Sequence, residues 1–145
     1  MSYRIYIEYG YGIDFTELPI TSDAQKFWKF IEEFAPNKAN ELKTEFKEKL
    51  EKIDEIDDYG ELDEFGLAGI VCGVLDEYTG LDFTIATDYD DNKFILYSPR
   101  YPWQIKNREQ KLKEEDLDNA FSIIENILEG STSINPAYQE VENGG

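Results

Sequence analysis

Few residues of this sequence have the chemistry of a catalytic centre. The 145 residues contain no histidine, the side chain that serves most often as a general base and is the commonest metal ligand. The single cysteine, Cys72, stands in the apolar run AGIVCGVL. That setting predicts a small core side chain and not a nucleophile. We therefore predict that the chain is not an enzyme, that it has no catalytic residues and that it needs no cofactor.

Three oxygen-bearing side chains match the spacing of the first ligands in a calcium-binding loop: Asp88, Asp90 and Asn92. The sixth position of such a loop requires glycine and the twelfth a bidentate glutamate, but these positions hold Lys93 and Pro99. The residues also separate two predicted strands. A hairpin turn is the favoured interpretation and no metal site is predicted, although weak divalent binding to the many carboxylates stays open.

Glycine spacing does not predict a nucleotide site. Gly10 and Gly12 follow a strand as in a dinucleotide-binding turn, but the third glycine and the helix that should follow are missing. Gly66, Gly69 and Gly73 lie on a predicted buried helix, where they favour close packing. The remaining enzyme hypothesis is a metal-dependent reaction that uses carboxylates alone.

Charge is the most unusual property of the sequence. Fourteen Lys and Arg stand against 32 Asp and Glu, which gives a formal net charge of −18. Residues 53–92 contain no Lys or Arg and thirteen carboxylates, which we call the acidic block. Its members are Asp54, Glu55, Asp57, Asp58, Glu61, Asp63, Glu64, Asp76, Glu77, Asp82, Asp88, Asp90 and Asp91.

Basic residues are concentrated in a segment that follows the acidic block: Lys93, Arg100, Lys106, Arg108, Lys111 and Lys113. The chain is therefore an acidic body with one basic segment. Simple solubility or a salt-loving host is the alternative explanation of the net charge.

We predict that the acidic block binds a basic protein. All of its carboxylates except Asp82 are predicted partner-binding residues, with three neighbouring aromatic residues as candidate anchors: Tyr59, Phe65 and Tyr78. Gly60 predicts an exposed turn, so the carboxylates around it are the favoured contacts: Asp57, Asp58, Glu61 and Glu64.

The leading functional hypothesis is inhibition of a nuclease or another nucleic-acid enzyme by mimicry. Duplex DNA carries one negative charge per about 1.7 Å of its axis, and its binders line their surfaces with Lys and Arg. Small phage inhibitors, including anti-restriction and anti-CRISPR proteins, and bacterial immunity proteins are similar to this chain in size and charge, without a shared motif. The alternative is an acidic interaction module or accessory subunit. We expect no direct binding of nucleic acid or membrane and a cytoplasmic location, in the host cell if a phage encodes the chain.

Apolar periodicity predicts an α+β fold with about three mostly antiparallel strands on about four helices, in the order β-α-α-α-β-β-α. We predict, in order, a strand from Tyr3 to Tyr9, a helix from Ser22 to Phe34, a helix from Ala39 to Ile56, a helix from Asp63 to Tyr78, strands from Phe83 to Tyr89 and from Lys93 to Ser98, and a helix from Glu114 to Glu129. Residues 1–130 should form one domain and residues 131–145 a flexible polar tail. The side chains of Ile5, Ile7, Ile85 and Ile95 should lie in the core of the sheet.

Overall fold

The computed structural model describes residues 5–97, 114–130 and 132–144. The elements along the chain are β1 (Ile5–Asp14), α1 (Ala24–Phe34), α2 (Pro36–Glu45), α3 (Lys47–Glu51), a 3-10 helix (Ile56–Leu62), α4 (Leu67–Thr79), β2 (Thr84–Thr87), β3 (Lys93–Tyr97), α5 (Glu114–Phe121), a 3-10 helix (Ser122–Ile127) and β4 (Ala137–Gly144). The predicted α+β class is confirmed, with a fourth strand near the C-terminus.

The strands form one antiparallel sheet in the order β2-β3-β1-β4. Strand β1 pairs with β3 through Tyr11–Asp14 and with β4 through Ile5–Gly12. The prediction that the N-terminal strand and the β2–β3 hairpin share a sheet is confirmed. The outer strands β2 and β4 also approach each other, so the sheet is strongly curled.

Strand β1 continues five residues beyond its predicted end. We expected a loop from Gly10 to Pro19, but the strand runs through both glycines to Asp14. Gly12 is required here because a Cβ atom would lie 1.9 Å from the main-chain oxygen of Ile95 in β3. The glycine therefore permits a close approach of two backbones and does not end the strand.

The predicted flexible tail contains strand β4, so that prediction was wrong for residues 137–144. Among its described side chains only Val141 is buried, beside Leu96 and Ala86 on the sheet face opposite the main core. A single buried apolar residue in a polar strand gives almost no periodic signal, which explains the error.

Core placement agrees with the sequence at some positions and not at others. Ile95 is fully buried and Ile85 packs partly buried against the main core. Ile7, expected in the core, is 40% exposed because β1 extends past the helices at that end. The side chain of Ile5 lies outside the described residues.

Helix α4 is the central helix, as predicted. Seven of its thirteen residues are buried, and Gly80 ends it in a left-handed conformation with φ of 72°. It begins at Leu67, four residues after its expected start. None of the helices in the described part of the chain is long and apolar enough to cross a membrane.

Other helix boundaries differ from the sequence prediction. The N-cap of α1 is Asp23 and not Ser22, because the Asp23 carboxylate accepts hydrogen bonds from the main-chain N–H groups of Gln25 and Lys26. The helix expected from Ala39 to Ile56 is divided at Phe46, whose φ of −124° is not helical. The helix expected from Glu114 to Glu129 tightens into a 3-10 helix from Ser122.

Candidate protein-binding surface

Residues 54–64, the acidic turn, carry seven of the thirteen carboxylates of the acidic block. Their framework is the 3-10 helix Ile56–Leu62. Ile56, Tyr59 and Leu62 recur every three residues and are all buried against the main core. This spacing matches the three residues per turn of a 3-10 helix, so one face is anchored and the other carries the acids.

Tyr59, a candidate aromatic anchor, is a core residue. Its side chain is only 6% exposed. The ring centroid lies 5.2 Å from that of Phe27 and 6.2 Å from that of Trp28, which is nearly parallel to it. Burial, with the nearby carboxylate of Glu32, raises the pKa of the Tyr59 hydroxyl. Tyr59 thus fixes the acidic turn on helix α1.

Five carboxylates of the acidic turn are exposed: Asp54, Glu55, Asp57, Glu61 and Glu64. The other two are half-buried and stabilise local structure. The carboxylate of Asp58 accepts the main-chain N–H of Glu55 at 3.3 Å, and that of Asp63 accepts the N–H of Phe65 at 2.8 Å. Glu55 is exposed but also belongs to the framework, because its side chain accepts the main-chain N–H of Asp58 in a capping box. The exposed acids without such a role are Asp54, Asp57, Glu61 and Glu64.

The remaining two predicted anchors are exposed but lie at different ends of α4. Phe65 is 40% exposed and follows the acidic turn directly. Tyr78 is 51% exposed in the last turn of α4, where its ring meets Phe34 edge-on at 5.4 Å. Only Phe65 is therefore placed beside the acidic turn.

Two further predicted partner-binding residues act within the fold. The Asp76 carboxylate accepts the main-chain N–H of Phe83 at 2.7 Å, and burial raises its pKa. The Glu77 carboxylate accepts the N–H groups of Asn37 at 3.1 Å and Lys38 at 2.8 Å, at the start of α2. Their principal role is structural, which the sequence prediction missed.

The residues with calcium-loop spacing form the hairpin turn between β2 and β3. The Asp88 carboxylate accepts three hydrogen bonds, from the main chain of Asp90 and from the main chain and side-chain amide of Asn92. The side-chain hydrogen bond from Asn92 is the largest cause of the lowered pKa of Asp88. Asp90 is exposed, and Asp91 forms an ion pair with Lys93 at 2.8 Å. Asp88 thus shapes the turn, while Asp90 projects from it.

Asp14 and Glu17, which were not among the predicted partner-binding residues, add acidic side chains near Asp88 of the hairpin turn. Burial and the charges of Glu17 and Asp88 raise the pKa of Asp14 at the end of β1. Tyr89, within the turn, is 60% exposed and was not among the predicted anchors. The sequence offered no sign of this grouping because the pairing of β1 with β3 creates it.

The acidic turn and the hairpin turn lie away from the point where α4 joins β2. The Asp76–Phe83 hydrogen bond ties the last turn of α4 to the start of β2. The acidic turn precedes the N-terminal end of α4, and the hairpin turn follows the C-terminal end of β2. Neither turn is therefore part of this junction.

Counter-charges are scarce near these acids. Lys43–Glu32 and Lys93–Asp91 are the ion pairs between described residues, and only the second includes a member of the acidic block. The other residues of the predicted basic segment lie outside the described ranges. No described Lys forms an ion pair with the exposed acids of the turn, so their negative charges remain on this surface.

Cys72 and the described carboxylates were the remaining candidates for a reactive or metal-binding group. Cys72 is buried, and burial with the charges of Asp76 and Asp63 raises its pKa to about 12, so its thiol is protonated at neutral pH. Within residues 5–97, 114–130 and 132–144, no three Cys, Asp or Glu side chains form a group that could hold a metal ion. No protein-family model matches the chain, and no curated protein or solved structure is significantly similar to it.

Proposed function

We propose that this protein inhibits a nuclease or another nucleic-acid-binding enzyme by occupying its basic surface with the acidic turn. One observation carries the proposal: five exposed carboxylates, one of which also caps the 3-10 helix, lie on an eleven-residue segment whose opposite face is anchored in the core. A surface that is fixed before binding loses little conformational entropy when the partner docks. Its charge also accelerates encounter with a cationic partner.

The favoured contacts are Asp57, Glu61 and Glu64. They are exposed and make no hydrogen bond or ion pair with another described residue. Asp58 is omitted because its carboxylate accepts the N–H of Glu55 within the turn. Phe65 supplies an apolar contact beside these charges, since aromatic side chains concentrate binding energy at interfaces.

Displacement by nucleic acid distinguishes this proposal from an acidic module without inhibitory function. The full chain is immobilised and incubated with a lysate of the source cell or its host. Bound protein is then eluted with duplex DNA, RNA or polyglutamate, each at the same concentration of negative charges. We expect a basic protein to elute with a nucleic acid at a concentration where polyglutamate leaves it bound. The eluted protein's cleavage or binding of nucleic acid should then fall as the chain is added back.

A matched pair of variants tests the site itself. Asp57→Asn, Glu61→Gln and Glu64→Gln remove three charges from the acidic turn, and Glu45→Gln, Glu48→Gln and Glu51→Gln remove three exposed charges from α2 and α3. The first variant should retain much less partner than the second. Retention of the partner in the presence of nucleic acid, or equal losses from both variants, would contradict the proposal.

A further inference from the structure

The sheet face that carries the main core continues along the paired strands β1 and β4, the β1–β4 ribbon, past Tyr11, the last described side chain of β1 toward its N-terminus that is buried in that core. We call this face of the ribbon its outer face. Directly paired residues of antiparallel strands share a face, which gives three successive pairs here. They are Tyr11 with Tyr138, Tyr9 with Glu140, and Ile7 with Glu142. Helix α5 reaches the first pair, because the Tyr11 hydroxyl donates a hydrogen bond to the Asp118 carboxylate at 2.5 Å.

Large apolar side chains are exposed on this face. Tyr9 is 60% exposed, Tyr138 is 73% exposed and Ile7 is 40% exposed. The opposite face of β4 buries Val141, and on this face the Tyr138 ring meets the Tyr11 ring edge-on at a centroid distance of 5.0 Å. One exposed apolar side chain is ordinary, but three on neighbouring positions of one sheet face are characteristic of an interaction surface.

The charges of the same face select the chemistry of its partner. Glu140 and Glu142 are exposed and alternate with the apolar residues of β1. Neither strand contains Lys or Arg. An arginine side chain matches both components, since its guanidinium stacks on tyrosine rings and pairs with carboxylates through two hydrogen bonds. A second copy of this chain is a poor match, because the two ribbons would both be negative and the net charge is −18.

We propose that the outer face of the β1–β4 ribbon binds an arginine-bearing segment of a partner protein. This surface is separate from the acidic turn, and the inference does not rest on the inhibitory function. Tyr9 and Tyr138 would receive the guanidinium planes, while Glu140 and Glu142 would accept their N–H groups.

Titration of the ¹⁵N-labelled full chain with capped pentapeptides tests this proposal. The probe has arginine at its first, third and fifth positions and valine between them, and its counterparts contain lysine or the neutral isostere citrulline. At about 0.15 M salt, where charge interactions fade beyond about 8 Å, the arginine peptide should shift the amide signals of residues 7–9 and 138–142. The lysine peptide should bind at least about threefold more weakly, because it lacks the planar fork, and the citrulline peptide should not bind.

Variants locate the response. Glu140→Gln with Glu142→Gln, and separately Tyr9→Ser, should each weaken arginine-peptide binding by about threefold or more. The triple variant of the acidic turn should bind the peptide as the wild type does. Circular dichroism and the remaining amide signals check that each variant is folded.

Several outcomes would overturn the inference. Signal changes confined to residues 54–64, or equal binding of the arginine and lysine peptides, would contradict the proposal. Either result would show that the peptide is attracted by negative charge in general and not bound by the ribbon. Concentration-dependent shifts of the ribbon without peptide would show that a second copy occupies this face.

Discussion

Replacing Glu77 by alanine should lower the free energy of unfolding by about 1–3 kcal/mol. Helix α2 starts with Pro36 directly after Ala35, so its N-cap residue offers no side-chain acceptor. The two oxygens of Glu77 accept the N–H groups of Asn37 and Lys38 instead. Glu77 in α4 thus caps a helix that lies about forty residues earlier in the chain.

The magnitude follows from these two contacts. Loss of an N-cap costs about 0.5–2 kcal/mol, and a negative charge near a helix N-terminus adds about 0.3–1 kcal/mol. Glu77 is half-buried, so water screens this interaction only in part. Glu77→Gln keeps one acceptor oxygen and loses the charge, so it should lie between wild type and Glu77→Ala.

Urea unfolding followed by far-ultraviolet circular dichroism measures these differences. Glu41→Ala is the matched control, because Glu41 is an exposed glutamate on the same helix α2. Its effect should stay within about 0.5 kcal/mol. Equal unfolding free energies for Glu77→Ala and Glu41→Ala would refute the capping role, and Glu77 would again be a candidate partner contact.

Three further predictions concern buried or crowded positions. Gly12→Ala should destabilise the sheet by about 2 kcal/mol or more in urea unfolding, because its Cβ would collide with the Ile95 carbonyl; a neutral effect would contradict the close approach. Asp14→Asn should stabilise the protein at pH 7. The pKa of Asp14 is raised in the fold, so the wild type gains stability as the pH falls from that raised value toward the ordinary aspartate value. The stability advantage of Asp14→Asn should therefore shrink over the same pH range. A stability difference that does not depend on pH would contradict this account. The Cys72 thiol should react with a disulfide reagent only as fast as the protein unfolds, and rapid labelling of the native chain would show that it is accessible.

The sequence predicted elements whose apolar pattern is strong. Helix α4 and strand β3 contain contiguous or alternating apolar residues, and both are present as predicted, although α4 starts four residues later than expected. Strand β4 could not be found in this way, because Val141 is its one buried side chain among those described. The length of β1 was missed because glycine usually ends a strand, whereas Gly12 here admits the backbone of β3.

The candidate surface was predictable only at the level of charge. A run without Lys or Arg identified the acidic turn, but could not separate exposed acids from those that cap or brace the fold, such as Glu77 and Asp76. Those roles depend on contacts between distant parts of the chain. The burial of Tyr59 did have a local signal, because Ile56, Tyr59 and Leu62 repeat at the 3-10 period.

Association kinetics with the captured partner test the central claim most directly. The association rate is measured against salt concentration for the wild type, the triple variant of the acidic turn and the triple control in α2 and α3. At low salt the turn variant should bind about threefold to a hundredfold more weakly than wild type, mainly through slower association, and its rate should depend less on salt. The control, which removes the same three charges, should retain nearly the wild-type rate and salt dependence. Equal changes in both variants would show that net charge drives binding and would contradict a binding site in the acidic turn.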